Sequence, residues 1–150
     1  MEKLKAQGFT KSIGVSNFEI EHLQILLNSA KVVPAANQEC RLHAYHVYSC
    51  ADYWTIQIQI HAYNFHEQQA LIEFGNKHGI VSEGYSPLLP ITRLSGGPLD
   101  KPLNEISARL NAKPEQVLLS WARSKNIVVV TSSTRKERME GYIAAGDLRE

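Results

Sequence analysis

The stretch PEQVLLSWARSKNIVVVTSSTRKERMEGY, residues 114–142, decides the fold because it reads as a helix, a strand and a second helix in succession. Pro114 suits the first position of a helix whose apolar residues recur at helical spacing. Those residues are Val117, Leu118, Trp121 and Ala122. The β-branched run Ile127–Thr131 then predicts a strand buried on both faces, and Glu137–Ile143 predicts the next helix. A strand between two helices is typical of a parallel α/β sheet.

Three earlier runs repeat this pattern. Each is short and apolar without clean alternation, which predicts strands buried on both faces. The three runs are Ser12–Ser16, Val32–Asn37 and Ile80–Tyr85. Helical spacing lies between the runs, around Leu23, Leu71 and Ile106, and Gly79 is placed to end the second of these helices. The predicted order is therefore a helix followed by four β-α units.

Two architectures fit this order, an open doubly wound sheet and part of a (β/α)8 barrel. The sequence contains no G-x-G-x-x-G and no G-x-x-x-x-G-K-[ST], so an open sheet would lack its usual phosphate-binding loop. Polar pairs stand instead at the predicted strand ends, where barrel active sites lie. The pairs are Ser16-Asn17, Asn37-Gln38, Tyr85-Ser86 and Ser132-Ser133. The Pro- and Gly-rich stretch Leu88–Pro102 is predicted as a long loop, either a lid or a passive linker.

Composition limits the possible partners. The chain has 150 residues, one domain's length, and its net charge of +1 gives no field that favours nucleic acid or a membrane surface. It shows no leader sequence and no apolar run near the ~18 residues of a membrane span. We therefore expect a cytoplasmic protein with no nucleic-acid or membrane partner. No metal is expected, because the spacing of His43, His46, Cys50 and Asp52 matches no tight structural site.

The polar strand ends have more than one interpretation. The basic run RKER, residues 135–138, stands at a helix start, where it could bind an anion or form an ordinary solvated first turn. Tyr85 could stack on a planar cofactor ring or close the core as a half-buried side chain. The amides of residues 37–38 could grip a polar ligand or satisfy loop backbone.

Four segments, taken in order, carry a resemblance to a known family. They are KSIGVSNF (Lys11–Phe18), PAANQ (Pro34–Gln38), EGYSPL (Glu83–Leu88) and KPEQVLLSWARSKNIVVVTSS (Lys113–Ser133). These segments resemble the fifth to eighth strands of the aldo-keto reductases, NADPH-dependent carbonyl reductases built on a (β/α)8 TIM barrel. The resemblance implies an α/β fold in which residues 1–150 form the C-terminal half of such a barrel, about strands five to eight with their helices.

The resemblance also implies that nine residues bind NADPH, in three groups. The group at the nicotinamide carboxamide comprises Ser16, Asn17 and Gln38. The group under the nicotinamide ring and along the pyrophosphate comprises Tyr85, Ser86 and Leu88, with Tyr85 stacking on the ring. The group at the adenosine 2′-phosphate comprises Ser132, Ser133 and Arg138, with Arg138 as the strongest anchor.

This sequence departs from the common family pattern at two places. It reads Thr131-Ser132-Ser133 where many members read Pro-Lys-Ser, so the Lys charge is missing and the preference for NADPH over NADH stays open. Gly141-Tyr142 replaces the usual Glu-Asn pair that contacts adenine. The Thr-Ser-Ser form resembles a fungal-type branch that reduces α-keto amides and esters.

The tripeptide HAY occurs twice, at His43–Tyr45 and His61–Tyr63. Joining Gln38 directly to Ile58 restores the family pattern, whereas the first copy misses it by one residue, and such a slip turns every side chain to the opposite face. Our hypothesis is that Glu39–Gln57 is a 19-residue insertion, a translated intron or other gene-model error, placed inside a buried strand. The alternative is an added strand or hairpin.

The family's catalytic Tyr, Lys, Asp and His come from strands two to four, so no catalytic residue is assigned in this chain. The expected function is reduction of a small aldehyde or ketone with NADPH, and the isolated chain is expected to be inactive unless the missing half completes it. The alternative is a catalytically inactive remnant or interaction module. Met1–Gln7 has the pattern of a helix already under way, which suggests a truncated gene or a misannotated start. Open sheet edges further predict marginal stability and self-association.

Overall fold

A computed structural model describes residues 1–39 and 65–148 of the chain. Apart from Glu39, the proposed insertion Glu39–Gln57 lies outside the described residues, as do both HAY copies and the histidine–cysteine group. The insertion therefore stays a hypothesis.

Four short strands form one sheet in which each strand pairs in parallel with the next along the chain. The strands are β1 (Val15–Ser16), β2 (Ala36–Glu39), β3 (Val81–Tyr85) and β4 (Ile127–Val130). The predicted parallel sheet is thus confirmed, but the predicted start of the second strand is wrong. Proline lacks the N–H that a ladder needs, and β2 begins only two residues after Pro34. Val33, placed in the strand by prediction, is half exposed before it.

Helices connect the strands as the alternation predicts. Their bounds are α1 (Glu2–Ala6), α2 (Ile20–Ser29), α3 (Phe65–Lys77), α4 (Leu89–Thr92), α5 (Asp100–Leu110), α6 (Pro114–Ser124) and α7 (Lys136–Ala144), followed by a 3-10 turn (Ala145–Asp147). Helix α6 begins at Pro114 as predicted, and the Lys113 N–H donates to Gln116 Oε1 at 2.9 Å, which satisfies one donor at the helix start. Gly79 follows α3 with φ of +72°, the left-handed conformation predicted for it.

The prediction of one long loop over Leu88–Pro102 is wrong. A helical turn, α4, begins directly after Leu88, and α5 already begins at Asp100. Of the three prolines in this stretch, Pro90 and Pro102 stand in the first turn of a helix, where the missing N–H has no intrahelical partner to lose, and Pro98 lies between the helices. Between the two helices the Gly96 N–H donates to Asp100 Oδ2 at 2.7 Å.

The two faces of the sheet have different surroundings. One face lies under the helices, where Asn37, Ser82 and Ile127 are 1–2% exposed. Side chains alternate along a strand, so the neighbouring residues face the other way. On this opposite face Val81 and Val128 are 42% and 47% exposed, although both are apolar strand residues. The sheet is therefore packed on its helix side and exposed on the opposite side.

Three apolar clusters attach the helices to the packed face. The first joins Leu23 of α2 to Leu71 and Ile80, and the second joins Ile72 and Ala122 to Ile127 of β4. The third packs α5 and α6 against the chain after β3 and the 3-10 turn; its buried members are Leu88, Leu103, Val117, Leu118, Leu119 and Ala145. Burial of each large apolar side chain contributes about 1.5–3 kcal/mol, so these contacts hold the strand ends in place.

Candidate cofactor-binding site

A groove of 480 Å³ lies at the carboxyl ends of β3 and β4. Five of the nine residues predicted to bind a cofactor line it, and they are Tyr85, Ser86, Leu88, Ser132 and Arg138. They come from the end of β3, the start of α4, the end of β4 and the first turn of α7. The structure thus brings together residues that lie up to 53 positions apart, from Tyr85 to Arg138.

The end of β3 supplies an aromatic ring and a kinked backbone. Tyr85 is half-buried and lines the groove, and Ser86 adopts φ of +54°, a left-handed conformation that is uncommon for serine. Leu88 is only 8% exposed and belongs to the apolar core as well as to the groove wall. Its carbonyl accepts a hydrogen bond from Thr92 Oγ1 at 3.0 Å, which secures the turn that follows.

The end of β4 leads into the basic first turn of α7. Ser132 and Arg138 line the groove, and the Arg138 side chain is exposed to solvent. Ser133 does not line it; its Oγ accepts a hydrogen bond from the Arg135 N–H at 3.1 Å and so shapes the turn before the helix. Lys136 pairs with Glu140 on the exposed side of α7 at 3.6 Å. Within the basic run, Arg138 is the residue that lines the groove.

The ends of β1 and β2 form a second group from Ser16, Asn17 and Gln38. The Gln38 backbone carbonyl accepts hydrogen bonds from Ser16 Oγ at 3.0 Å and from the Asn17 N–H at 3.1 Å. Asn17 has φ of +60°, so the backbone turns sharply directly after β1. These three residues are therefore adjacent, although they do not line the groove beside β4.

Asn37 serves the backbone of the loop after β1. Its Nδ2 donates to the Phe18 carbonyl at 2.8 Å, and its Oδ1 accepts from the Phe18 N–H at 3.3 Å. The side chain is 1% exposed on the helix side of the sheet. The sequence left two roles open for the Asn37-Gln38 pair, binding a polar ligand or satisfying loop backbone. Asn37 has the second role, whereas the Gln38 side chain lies on the opposite face of the sheet.

The two groups lie on one face at one end of the sheet. Gln38 is in register with Glu83, and its Nε2 donates to Glu83 Oε2 at 3.2 Å. Tyr85 follows Glu83 by two residues, so it lies on the same face, about 7 Å further along the strand. Tyr85 is in turn in register with Val130, which lines the groove.

The structure adds groove residues that the sequence reasoning missed. Arg93, Thr92 and Tyr142 line the same groove. Arg93 follows α4 directly, and the sequence does not indicate it because the Pro- and Gly-rich stretch around it predicts a loop. Tyr142 lies in α7 one turn beyond Arg138, so the helical spacing of these two residues could have indicated a shared face. The groove therefore carries a second arginine and a second tyrosine.

Over residues 1–39 and 65–148, no three His, Cys, Asp or Glu side chains converge in a way that could hold a metal ion. In the same part of the chain, no helix has the length and apolar character needed to cross a membrane.

The sequence profile described as the aldo/keto reductase family matches residues 1–150. The chain belongs to the aldo/keto reductase family. The resemblance carried by the four strand-end segments is thereby confirmed. The fold is confirmed with it, because the four-stranded parallel sheet matches part of the barrel of solved aldo/keto reductases.

Individual relatives agree with this assignment. The NAD/NADP-dependent indole-3-acetaldehyde reductase of Schizosaccharomyces pombe is 31% identical over 140 residues, covering 93% of this chain and 43% of its own length. The NADPH-dependent alpha-keto amide reductase of Saccharomyces cerevisiae is 28% identical and is covered to 40%. A mutant of Gox0644 in complex with NADPH superposes with a TM-score of 0.74 at 29% identity, over 98% of this chain and 45% of that one. This aldo/keto reductase chain thus spans less than half the length of these relatives.

Proposed function

We propose that this aldo/keto reductase chain binds NADPH across the carboxyl ends of its four strands and forms the cofactor half of an enzyme that reduces aldehydes or ketones to alcohols. The observation that carries the proposal is the groove, in which Tyr85, Ser132 and Arg138 come together from separate elements. Its volume of 480 Å³ is within the usual range of about 300–1,000 Å³ for small-molecule sites.

The chemistry of the groove suits a ligand with more than one phosphate. Arg93 and Arg138 carry guanidinium groups that form charge-assisted hydrogen bonds to phosphate oxygens, and Ser132 adds a hydroxyl group. In the proposed arrangement Arg138 and Ser132 hold the 2′-phosphate, Ser133 supports the turn beside them, and Ser86, Leu88 and Arg93 lie along the pyrophosphate.

The nicotinamide end would lie over the β1–β3 strand ends. Tyr85 offers a half-buried ring face for stacking, and Ser16, Asn17 and Gln38 offer polar atoms for the carboxamide. NADPH, when bound, supplies the hydride. The residues of this chain hold the ring in place and keep water from one of its faces.

The same proposal assigns no proton donor to this chain. Reduction of a carbonyl needs a proton as well as a hydride, and the resemblance places the family's donor set in barrel strands two to four. The open sheet face, where Val81 and Val128 are exposed, is where the rest of a barrel would pack. We therefore propose that turnover of a small carbonyl substrate requires that second half.

A second candidate function is an interaction module without turnover. The exposed apolar residues Val81 and Val128 favour it, because an uncovered apolar sheet face promotes association. NADPH binding distinguishes the two candidates, since an interaction module has no need of an intact phosphate site.

The test is a fluorescence titration of the full chain with NADPH, comparing the wild type with Arg138→Ala. Loss of a charge-assisted hydrogen bond of about 1.5 kcal/mol should raise the dissociation constant about tenfold. The matched control is Arg109→Ala, which removes the same charge from an exposed position that does not line the groove. Equal effects of the two substitutions would contradict the site.

Turnover is tested separately from binding. NADPH oxidation is followed with an aldehyde and with an α-keto amide, for the chain alone and after addition of the purified N-terminal half of the S. pombe relative. Activity only in the mixture is the expected result. Turnover by the chain alone would overturn the assignment of the proton donor to the other half.

A further inference from the structure

The side-chain amide of Gln38 has a fixed orientation on the open face of the sheet. Gln38 and Glu83 are in register on β2 and β3, and Gln38 Nε2 donates to Glu83 Oε2 at 3.2 Å. An ionised carboxylate only accepts hydrogen bonds, so the NH₂ group of the amide must face Glu83. The carbonyl oxygen, Gln38 Oε1, is then directed away from Glu83 and remains an acceptor.

Ser16, which neighbours Gln38 on β1, also offers a hydrogen-bond acceptor. Its single hydroxyl proton is donated to the Gln38 backbone carbonyl at 3.0 Å, which leaves the lone pairs of Ser16 Oγ as acceptors. The side chain is exposed at the end of β1, so a ligand can reach it. Two neighbouring side chains at these strand ends therefore offer acceptors.

We propose that Glu83 is a positioning residue that fixes the amide of Gln38, so that the ends of β1 and β2 select a ligand group carrying N–H donors. This inference rests on the proposed function, in which the group is the primary carboxamide of the nicotinamide ring. The carboxamide NH₂ donates to Gln38 Oε1 and Ser16 Oγ. A ring substituent with a carbonyl group but no N–H leaves both acceptors unpaired.

A purely structural role for Glu83 makes a different prediction. If the Gln38–Glu83 bond only joined β2 to β3, its loss would weaken all nucleotide binding equally through the fold. A positioning role instead changes the ratio between two ligands that differ only in the N–H donor. The acetylpyridine analogue of NADPH is such a ligand, because a methyl group replaces the amide nitrogen and every phosphate is retained.

The experiment measures dissociation constants of the full chain for NADPH and for this analogue. The wild type should prefer NADPH by about thirtyfold, because the analogue loses the hydrogen bonds to both Gln38 Oε1 and Ser16 Oγ. Glu83→Gln introduces an amide that can donate as well as accept, so Gln38 can turn over and the preference should fall by about fivefold, to the part that Ser16 contributes. Glu105→Gln, at an exposed position of α5, is the matched control and should keep the full preference. An unchanged preference in Glu83→Gln would overturn the inference.

A second measurement needs neither a variant nor a cofactor. Proton NMR of the labelled wild-type chain should show slower hydrogen exchange for the side-chain NH₂ of Gln38 than for that of the exposed Gln24. Equal exchange rates would overturn the fixed orientation. Slow exchange at Gln38 together with a failure to bind NADPH would support the orientation and refute the proposed function, so the two failures are distinguishable.

Discussion

Asn37 offers the most direct test of how the fold supports the site. Its two hydrogen bonds to the Phe18 backbone, at 2.8 and 3.3 Å, close the loop that carries Ser16 and Asn17. Asn37→Ala removes both bonds, so the Phe18 N–H and the Phe18 carbonyl lose their hydrogen-bond partner on β2. Each bond contributes about 1 kcal/mol net, and the space left by a side chain that is 1% exposed adds about 1 kcal/mol. We expect a loss of about 3 kcal/mol in the free energy of unfolding.

The assay is urea unfolding followed by circular dichroism. With a slope of about 1–3 kcal/mol per molar urea, a loss of about 3 kcal/mol lowers the midpoint by about 1–3 M. Asn28→Ala, at an exposed position of α2, is the matched control and should change stability by less than about 0.5 kcal/mol. NADPH binding by folded Asn37→Ala should also weaken, because the loop bearing Ser16 and Asn17 is released. Equal midpoints for the Asn37 and Asn28 variants would refute the reasoning.

Two further predictions concern backbone conformation and the open face. Gly79→Ala should lower the free energy of unfolding by about 1 kcal/mol, because Gly79 has φ of +72°, which alanine adopts only with strain. Gly141→Ala should raise it by up to about 1 kcal/mol, because Gly141 lies inside α7 and the added Cβ meets open space. Urea midpoints in the reverse order would contradict this. Val128→Lys should raise the dissociation constant for self-association by more than about tenfold in sedimentation velocity, because association through the open face would bury the lysine charge. The same effect from Val33→Lys, which lies outside the sheet, would count against association through the open face.

The order of elements could be predicted from the sequence because the relevant signals are local. Pro114 and Gly79 set a helix start and a helix end through their own backbone preferences, and the Ile127–Val130 run is apolar enough to be recognised as a buried strand. The start of β2 was mispredicted because the apolar pair before Pro34 has strand character without strand partners. Pairing depends on the neighbouring strand, and a short sequence window does not contain that neighbour.

The candidate site was predictable as far as strand ends define it. The sequence predicts Tyr85 and Arg138 as cofactor-binding residues because one ends a strand and the other closely follows one, and both line the groove. Arg93 is not predicted by the sequence, since its place in the groove depends on the helical turn of α4. Pro90 and Pro102 favour a loop in the sequence pattern, although they lie in the first turns of α4 and α5. The bond between Gln38 and Glu83 also escaped prediction, because it depends on the register between β2 and β3.

The sequential pairing of the four strands has a consequence for biosynthesis. Because β2 adds beside β1, β3 beside β2 and β4 beside β3, position across the sheet follows the order in which the ribosome releases the strands. Each emerging β-α unit can dock on an edge that is already present, without waiting for a distant part of the polypeptide. Translation speed between successive units therefore sets how long each unpaired edge stays exposed to other nascent chains.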